Sequence, residues 1–232
     1  MAKPAELKHL AIIMDGNGRW ASNQNLPRIE GHKRGAQATI DIINYCHDLG
    51  VKELSIFGLS TENTSRPSLE VSFIQDLVKQ SCQNNQENFQ KKGIRVRIIG
   101  TEDGLDKVEG LRRVKNAVES LTQHNQIMRL NILFNYSGRW EIENLLSSLQ
   151  NKAIKNPTEL IQSTLMQGMS YEPDLCIRTG GEMRLSNFML WQLAYTELYF
   201  TNVLWPDFGR KDLDDAIKDF YRRKRRFGQI ES

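Results

Sequence analysis

At 232 residues, with 39% apolar and 25% charged residues, the chain has the composition of an ordinary globular domain and not of a disordered one. A formal net charge of +3 makes no demand for nucleic acid, and no apolar run approaches the ~20 residues of a membrane span. Met1 to His9 lacks the apolar core of a secretory signal, so a cytoplasmic chain is expected. Cys46, Cys82 and Cys176 are widely spaced, with no C-x-x-C pair, which argues against zinc and for reduced core thiols.

His9 to Met14 reads as a buried strand, because the run is short, partly β-branched and stopped by Asp15 and Gly16. A loop follows. From Gly31 to Leu49, Ala36, Ile40, Ile43 and Cys46 recur at three- and four-residue steps and predict a helix stopped by Gly50. Lys52 to Leu59 predicts a second strand, Ser68 to Lys92 a long helix closed by Gly93, and Ile94 to Ile99 a third strand. Leu105 to His124 predicts a helix, Met128 to Phe134 a fourth strand, and Arg139 to Ala153 and Pro157 to Met166 two more helices. Asp174 to Ile177 predicts a fifth strand, Ser186 is placed to cap a helix carrying Phe188 to Tyr195, and a basic helix runs from Asp212 to about Lys224.

Alternating strands and helices predict an α/β fold with a central, mostly parallel sheet flanked by helices, since parallel strands need crossover connections. No repeat, low-complexity linker or Pro/Gly-rich boundary divides residues 1–232, so a single domain is expected.

Three strand ends carry loops rich in Gly, Arg and small polar residues: Asp15 to Trp20 (DGNGRW), Ser60 to Arg66 (STENTSR) and Arg178 to Ser186 (RTGGEMRLS). In a parallel sheet they share one rim. Glycines let backbone N–H groups approach an anion, and guanidinium groups grip phosphate oxygens, so these loops describe a polyphosphate site. No Gly-Lys-Ser/Thr follows the first glycines, which excludes a Walker A loop. Ile13 stands where a D-x-D phosphatase needs its other carboxylate. Gly16, Gly18 and Ala21 match G-x-G-x-x-A, but the acidic residue expected about 20 residues further on is displaced to Glu62. Asp15 beside phosphates requires a hard cation between them, which Mg²⁺ supplies.

His9 to Trp20 (HLAIIMDGNGRW) resembles the opening signature of the undecaprenyl diphosphate synthases, a cis-prenyltransferase family. The resemblance continues through Gly31 to Lys33, Ser60 to Asn63 with Arg66 and Pro67, Asn135 to Trp140, Ile177 to Glu182, Arg184 to Phe188 and Glu197 to Phe200, nearly the whole chain.

The resemblance implies that isopentenyl diphosphate is condensed with an allylic diphosphate such as farnesyl diphosphate, giving a longer Z-polyprenyl diphosphate, undecaprenyl diphosphate, for a cell-wall lipid carrier. It implies Mg²⁺ on Asp15, with Glu197 contributing. Gly16, Asn17, Gly18, Arg19, Trp20, Arg28 and His32 would enclose the allylic diphosphate. Ser60, Thr61, Glu62, Thr64 and Arg66 would lie between the substrates, and Arg178, Arg184, Leu185 and Ser186 would bind isopentenyl diphosphate. The family assigns proton removal to Asn63, so Asp15 and Asn63 are the catalytic candidates; a neutral amide is a poor base, which makes Asn63 a positioner and a diphosphate oxygen the better acceptor. Arg226 and Gly228 would reach the partner's isopentenyl site in a homodimer, with peripheral membrane contact for product release and no nucleic-acid partner. An apolar tunnel is expected along Phe57, Leu59, Val71, Ile74, Leu133 and Phe134.

The chain departs from the family pattern at Leu59, a common Phe, Thr64, a common Trp, and Met183, a common His. Two alternatives therefore stand beside the main reading: an atypical enzyme making short or branched products, and a non-catalytic subunit of a heteromeric enzyme.

Overall fold

The computed structural model describes residues 6–106, 108–149, 156–166 and 168–224. Its strands are β1 (His9–Ile13), β2 (Glu53–Ser60), β3 (Ile94–Ile99), β4 (Met128–Tyr136), β5 (Leu175–Arg178) and β6 (Glu197–Phe200). Its helices are α1 (Asn17–Asn23), α2 (Arg28–Asp48), α3 (Ser68–Lys91), α4 (Glu102–Asp106), α5 (Leu111–Thr122), α6 (Gly138–Ser148), α7 (Pro157–Leu165) and α8 (Arg210–Arg222). Two 3₁₀ turns, Thr61–Ser65 and Trp205–Asp207, complete the order. Every neighbouring pair of strands is parallel, in the order β3-β4-β2-β1-β5-β6.

The central strand β1 is buried along its whole length, as a parallel strand covered on both faces must be. Leu10, Ile12, Leu54 and Ile56 face one apolar layer, closed by Ile42 and Ile43 of α2, Ile74 of α3, Val114 of α5 and Leu213 of α8. Ala11, Ile13, Leu133 and Cys176 face the other, against Met166, Phe188, Met189 and Leu193. Among the described residues no helix is long and apolar enough to cross a membrane.

One local irregularity shapes the functional rim. Phe57 pairs with Leu133, Leu59 with Phe134 and Ser60 with Tyr136, so Gly58 is extra on β2 and Asn135 on β4. Asn135 takes φ 49° there, and its amide donates to Thr101 Oγ1.

The structure corrects several boundaries. The loop after β1 becomes helix α1 at Asn17, launched by Gly16 at φ 115°, where a side chain would also press on Leu204. Helix α2 begins at Arg28, one residue after Pro27, rather than at Gly31. Gly110, at φ 76°, divides the expected 105–124 helix into α4 and α5. The helix expected at 188–195 is a run of turns: Ser186, Asn187 and Met189 adopt positive φ, and Ser186 Oγ accepts from Arg178 instead of capping. Strand β6 was missed altogether. The last residues of the helix expected to Ala153 lie outside the described residues.

Candidate active site

Because all six strands point the same way, the loops after β1, β2 and β5 meet on one rim, beside the point where the chain changes direction across the sheet. Ile13 pairs with Arg178, so the end of β1 delivers Asp15 directly to the end of β5. Asp15 Oδ1 accepts from Arg19 Nη2 at 3.0 Å and Oδ2 from Arg178 Nη2 at 3.0 Å. Its backbone is fixed as well: Asp15 N donates to Thr179 Oγ1, Thr179 Oγ1 to Asp15 O, and Trp205 N to Asp15 O.

Arg178 is 4% exposed, and Nη1 donates to Ser186 Oγ at 2.8 Å and to the Arg184 carbonyl. Its Nε is buried with no hydrogen-bond partner among the described residues. Arg19 Nη1 donates to Gly180 O, and Arg184 pairs with Glu182.

A second ionic cluster lies where α2 meets α3. Glu70, buried at the start of α3, receives Arg28 Nε at 2.9 Å and Arg28 Nη2 at 3.1 Å, with His32 Nε2 at 3.1 Å and Arg66 Nη1 at 3.5 Å. The Arg28 guanidinium lies against Gly18, occupying the space a side chain there would need. The Arg28 hydrogen bonds hold the Glu70 carboxyl below the usual carboxylate range, against the effect of burial. Burial lowers the His32 pKa, and the Glu70 carboxylate offsets part of that shift.

Asp15, Asn17, Arg19, His32, Ser60, Asn63, Arg66, Glu182, Arg184, Arg178 and Ser186 all line one cleft of about 360 Å³. Met14, Asn17, His32, Phe57, Gly58 and Ile74 also line an apolar cavity of about 100 Å³ beneath it. That cavity passes between α2, α3 and the sheet, and its α3 wall runs from Ile74 to Phe89, about 22 Å at helical rise. Of the expected tunnel residues, Phe57 and Ile74 line it. Leu59 borders the polar cleft, Val71 and Phe134 are packed into the core, and Leu133 faces the opposite layer.

Other candidates stand around this cleft. Gly16 packs against Leu204 and Gly18 against Arg28, neither lining the cleft, and Trp20 Nε1 donates to Asp207 Oδ1 at 2.8 Å. Thr61 and Thr64 line a neighbouring polar hollow with Asn135 and Trp140. Glu62 accepts from Asn187 Nδ2; burial opposes the change, but hydrogen bonds from Asn187, Ser60, Thr61 and its own backbone outweigh it and lower the carboxyl pKa. Leu185 packs on the second apolar layer. Arg226 and Gly228 lie outside the described residues.

Glu197 corrects an expectation. It pairs with Leu175 at the start of β6, whereas Arg178 pairs with Phe200 at the end, which puts Glu197 roughly 10 to 15 Å from Asp15 along the strand direction. Its carboxylate accepts from Arg223 Nη1 at 2.9 Å. Within one chain the two carboxylates do not meet. Glu70, Thr179 and Asn187 are not among the expected site residues: Thr179 lies in the Arg178–Ser186 loop and Asn187 in the Arg184–Phe188 motif, whereas Glu70 shows only as an acid four residues after Arg66 on a helix start.

Among the described residues no three His, Cys, Asp or Glu side chains gather into a metal cage. Asp15 and Glu182 are the carboxylates that line the cleft, and Asp15, at the strand end with arginines around it, suits a hard cation such as Mg²⁺, which would offset the charge of bound phosphates.

A charged cleft opening into an apolar cavity, at the carboxyl rim of a parallel sheet, defines an enzyme for amphipathic substrates with an anionic head and a hydrocarbon tail. The family model described as "Putative undecaprenyl diphosphate synthase" matches residues 13–228. An isoprenyl transferase of Neisseria meningitidis is 46% identical over 223 residues, 96% of this chain and 89% of that protein. The ditrans,polycis-undecaprenyl-diphosphate synthase ((2E,6E)-farnesyl-diphosphate specific) of Legionella pneumophila is 43% identical over 231 residues, 96% of each chain. Lavandulyl diphosphate synthase from Lavandula x intermedia, solved with dimethylallyl diphosphate, superposes with a TM-score of 0.87 at 32% identity, covering 96% of this chain and 98% of that one. The chain belongs to the undecaprenyl diphosphate synthase family and is a prenyltransferase.

Proposed function

We propose that this enzyme condenses isopentenyl diphosphate with an allylic diphosphate, farnesyl diphosphate being the primer, and repeats the step to give undecaprenyl diphosphate. The observation that carries the reading is the continuity of the polar cleft with the apolar cavity through Asn17, His32, Phe57, Gly58 and Ile74. An allylic diphosphate fits with its head among the Arg19, His32 and Arg66 side chains and its tail along α3. The Legionella relative's name supports farnesyl diphosphate as primer.

Asp15 would hold Mg²⁺, and the chemistry such an ion supplies when bound is positive charge against the negative charge of a departing diphosphate. Arg178, Arg184 and Ser186, which line the cleft together, hold isopentenyl diphosphate. Arg19 and Arg178, both fixed on Asp15, set the two diphosphates side by side. Asn63 is held by its own N–H on Ser60 Oγ at 3.1 Å, so its side chain orients the isopentenyl unit while a diphosphate oxygen takes the proton. The working form is a homodimer in which Arg226 and Gly228 complete the partner's site, and the long product leaves through contact with a membrane surface.

The test is to incubate the purified protein with Mg²⁺, farnesyl diphosphate and labelled isopentenyl diphosphate beside Asp15→Ala, and to resolve products by length. A ladder ending in long chains, lost in the variant, is expected. Short or branched products would move the enzyme to the atypical class, and no turnover with any allylic primer would overturn the reading.

A further inference from the structure

We infer that Glu70 is the positioning residue of the allylic diphosphate pocket, fixing Arg28, His32 and Arg66 from behind without touching substrate; this rests on the function proposed above. Glu70 is 8% exposed and does not line the cleft, whereas His32 and Arg66 do. Its two oxygens take four contacts from three side chains, two of them the paired bonds of Arg28. Arg28 and His32 are four residues apart at the start of α2, and Arg66 and Glu70 four apart across the start of α3.

The physical need is plain. Two guanidinium groups and an imidazole are brought together in a partly desolvated corner, and mutual repulsion would splay them before substrate arrives. One buried carboxylate holds them together, and the bidentate grip on Arg28 keeps its guanidinium over Gly18, at the first turn of α1. The site is thereby preorganised for an anion, so less ordering is required on binding. Arg178, Arg184 and Ser186 make no contact with Glu70, so the effect is confined to the allylic side.

The experiment compares wild type, Glu70→Gln, Arg28→Ala and the double variant in steady-state assays with farnesyl diphosphate and isopentenyl diphosphate. Glu70→Gln is expected to raise the allylic KM about tenfold while the isopentenyl KM and kcat change less than about threefold. Because Glu70 acts in part through Arg28, the loss in the double variant is expected to be smaller than the sum of the two single losses. Independently of turnover, NMR titration of His32 is expected to show its pKa lower still in Glu70→Gln, because the offsetting carboxylate charge is gone. An unchanged allylic KM, an equal loss in both KM values, or additive effects in the double variant would each overturn the proposal. Should Glu70→Gln fail to fold, Glu70→Asp, which keeps the charge one methylene short, carries the same split in KM. Absence of turnover in the wild type would sink the proposed reaction and not the His32 result.

Discussion

The Oδ2 atom of Asp15 lies 3.0 Å from Nη2 of Arg178, joining the ends of two adjacent parallel strands across the head of the cleft. In the proposed reaction the carboxylate would hold Mg²⁺, and in the structure it is the partner of a buried arginine, so the two duties separate by substitution. Asp15→Ala is expected to lower kcat about 100- to 1000-fold and to cost roughly 1–3 kcal/mol of stability, because Arg178 loses a partner. Asp15→Asn keeps an acceptor, so it should lose activity with less loss of melting temperature. Assay and calorimetry on both variants check this.

A pH effect is expected from Glu141, which is 1% exposed and accepts from Tyr136 Oη and Gln192 Nε2 on one oxygen while the other has no partner among the described residues. Burial pushes its carboxyl up to about 7. A pKa raised on folding means that the folded protein binds the proton more tightly. The stability contribution is complete below the unfolded value, near 4.5, and is lost as pH rises through about 7. Relative to Glu141→Gln, the wild type should lose on the order of 2–3 kcal/mol between acid and mildly alkaline pH, read from urea midpoints. Parallel curves for the two proteins would contradict it.

Asn187 ties three loops together: its side chain donates to Glu62 Oε1 and Ser137 Oγ and accepts from Arg139 N, and its carbonyl accepts from Gly138 N. It does so at φ 64°. Asn187→Gly keeps the backbone conformation and removes the ties, whereas Asn187→Ala adds left-handed strain of about 1–2 kcal/mol. Melting temperature should thus fall further in the alanine variant, while kcat/KM falls about equally in both.

The apolar cavity makes a prediction about product length. Ser81 lies on its α3 wall, well beyond Ile74. Ser81→Phe should leave the first condensation nearly unchanged and shift the product ladder toward shorter chains, resolved by chromatography. An unaltered ladder would mean that the growing chain takes another path.

Five of the six strands were legible in the sequence because they are short apolar runs ended by turn formers, a local signal that burial on both faces requires. Strand β6 is only half buried, and its run of Leu198, Tyr199 and Phe200 is short and follows directly on the segment read as a helix, so it escaped. The segment from Phe188 to Tyr195 has apolar residues at helical spacing, but the contacts of Asn187 with α6 impose left-handed residues that no helix tolerates. Tertiary pairing prevailed over periodicity.

The core of the candidate site was legible because Asp15, Arg19, Arg178 and Ser186 sit at strand ends, where chain order translates directly into neighbourhood. Glu70 was not, since its partners Arg28 and His32 come from another helix and only the packing of α2 on α3 brings them together. Glu197 shows the converse: it belongs to a recognisable motif, but β6 runs parallel to β5 and leaves it at the far end from Asp15 within one chain.

The paired insertions at Gly58 and Asn135 cancel: Glu53 matches Arg129 before them and Ser60 matches Tyr136 after them, with the same numerical offset. The sheet thus has a swivel whose two ends stay in phase, so the aim of Leu59 and Phe134 is altered while the catalytic end of β2 keeps its place. Deleting Gly58 alone would throw the Asn63 turn out of step with β4, whereas removing Gly58 and Asn135 together would restore the phase and leave a plain ladder. The insertions therefore re-aim the residues between the two matched stretches of the ladder while the Ser60 rim, and the turn beyond it, stay where an unbroken ladder would put them.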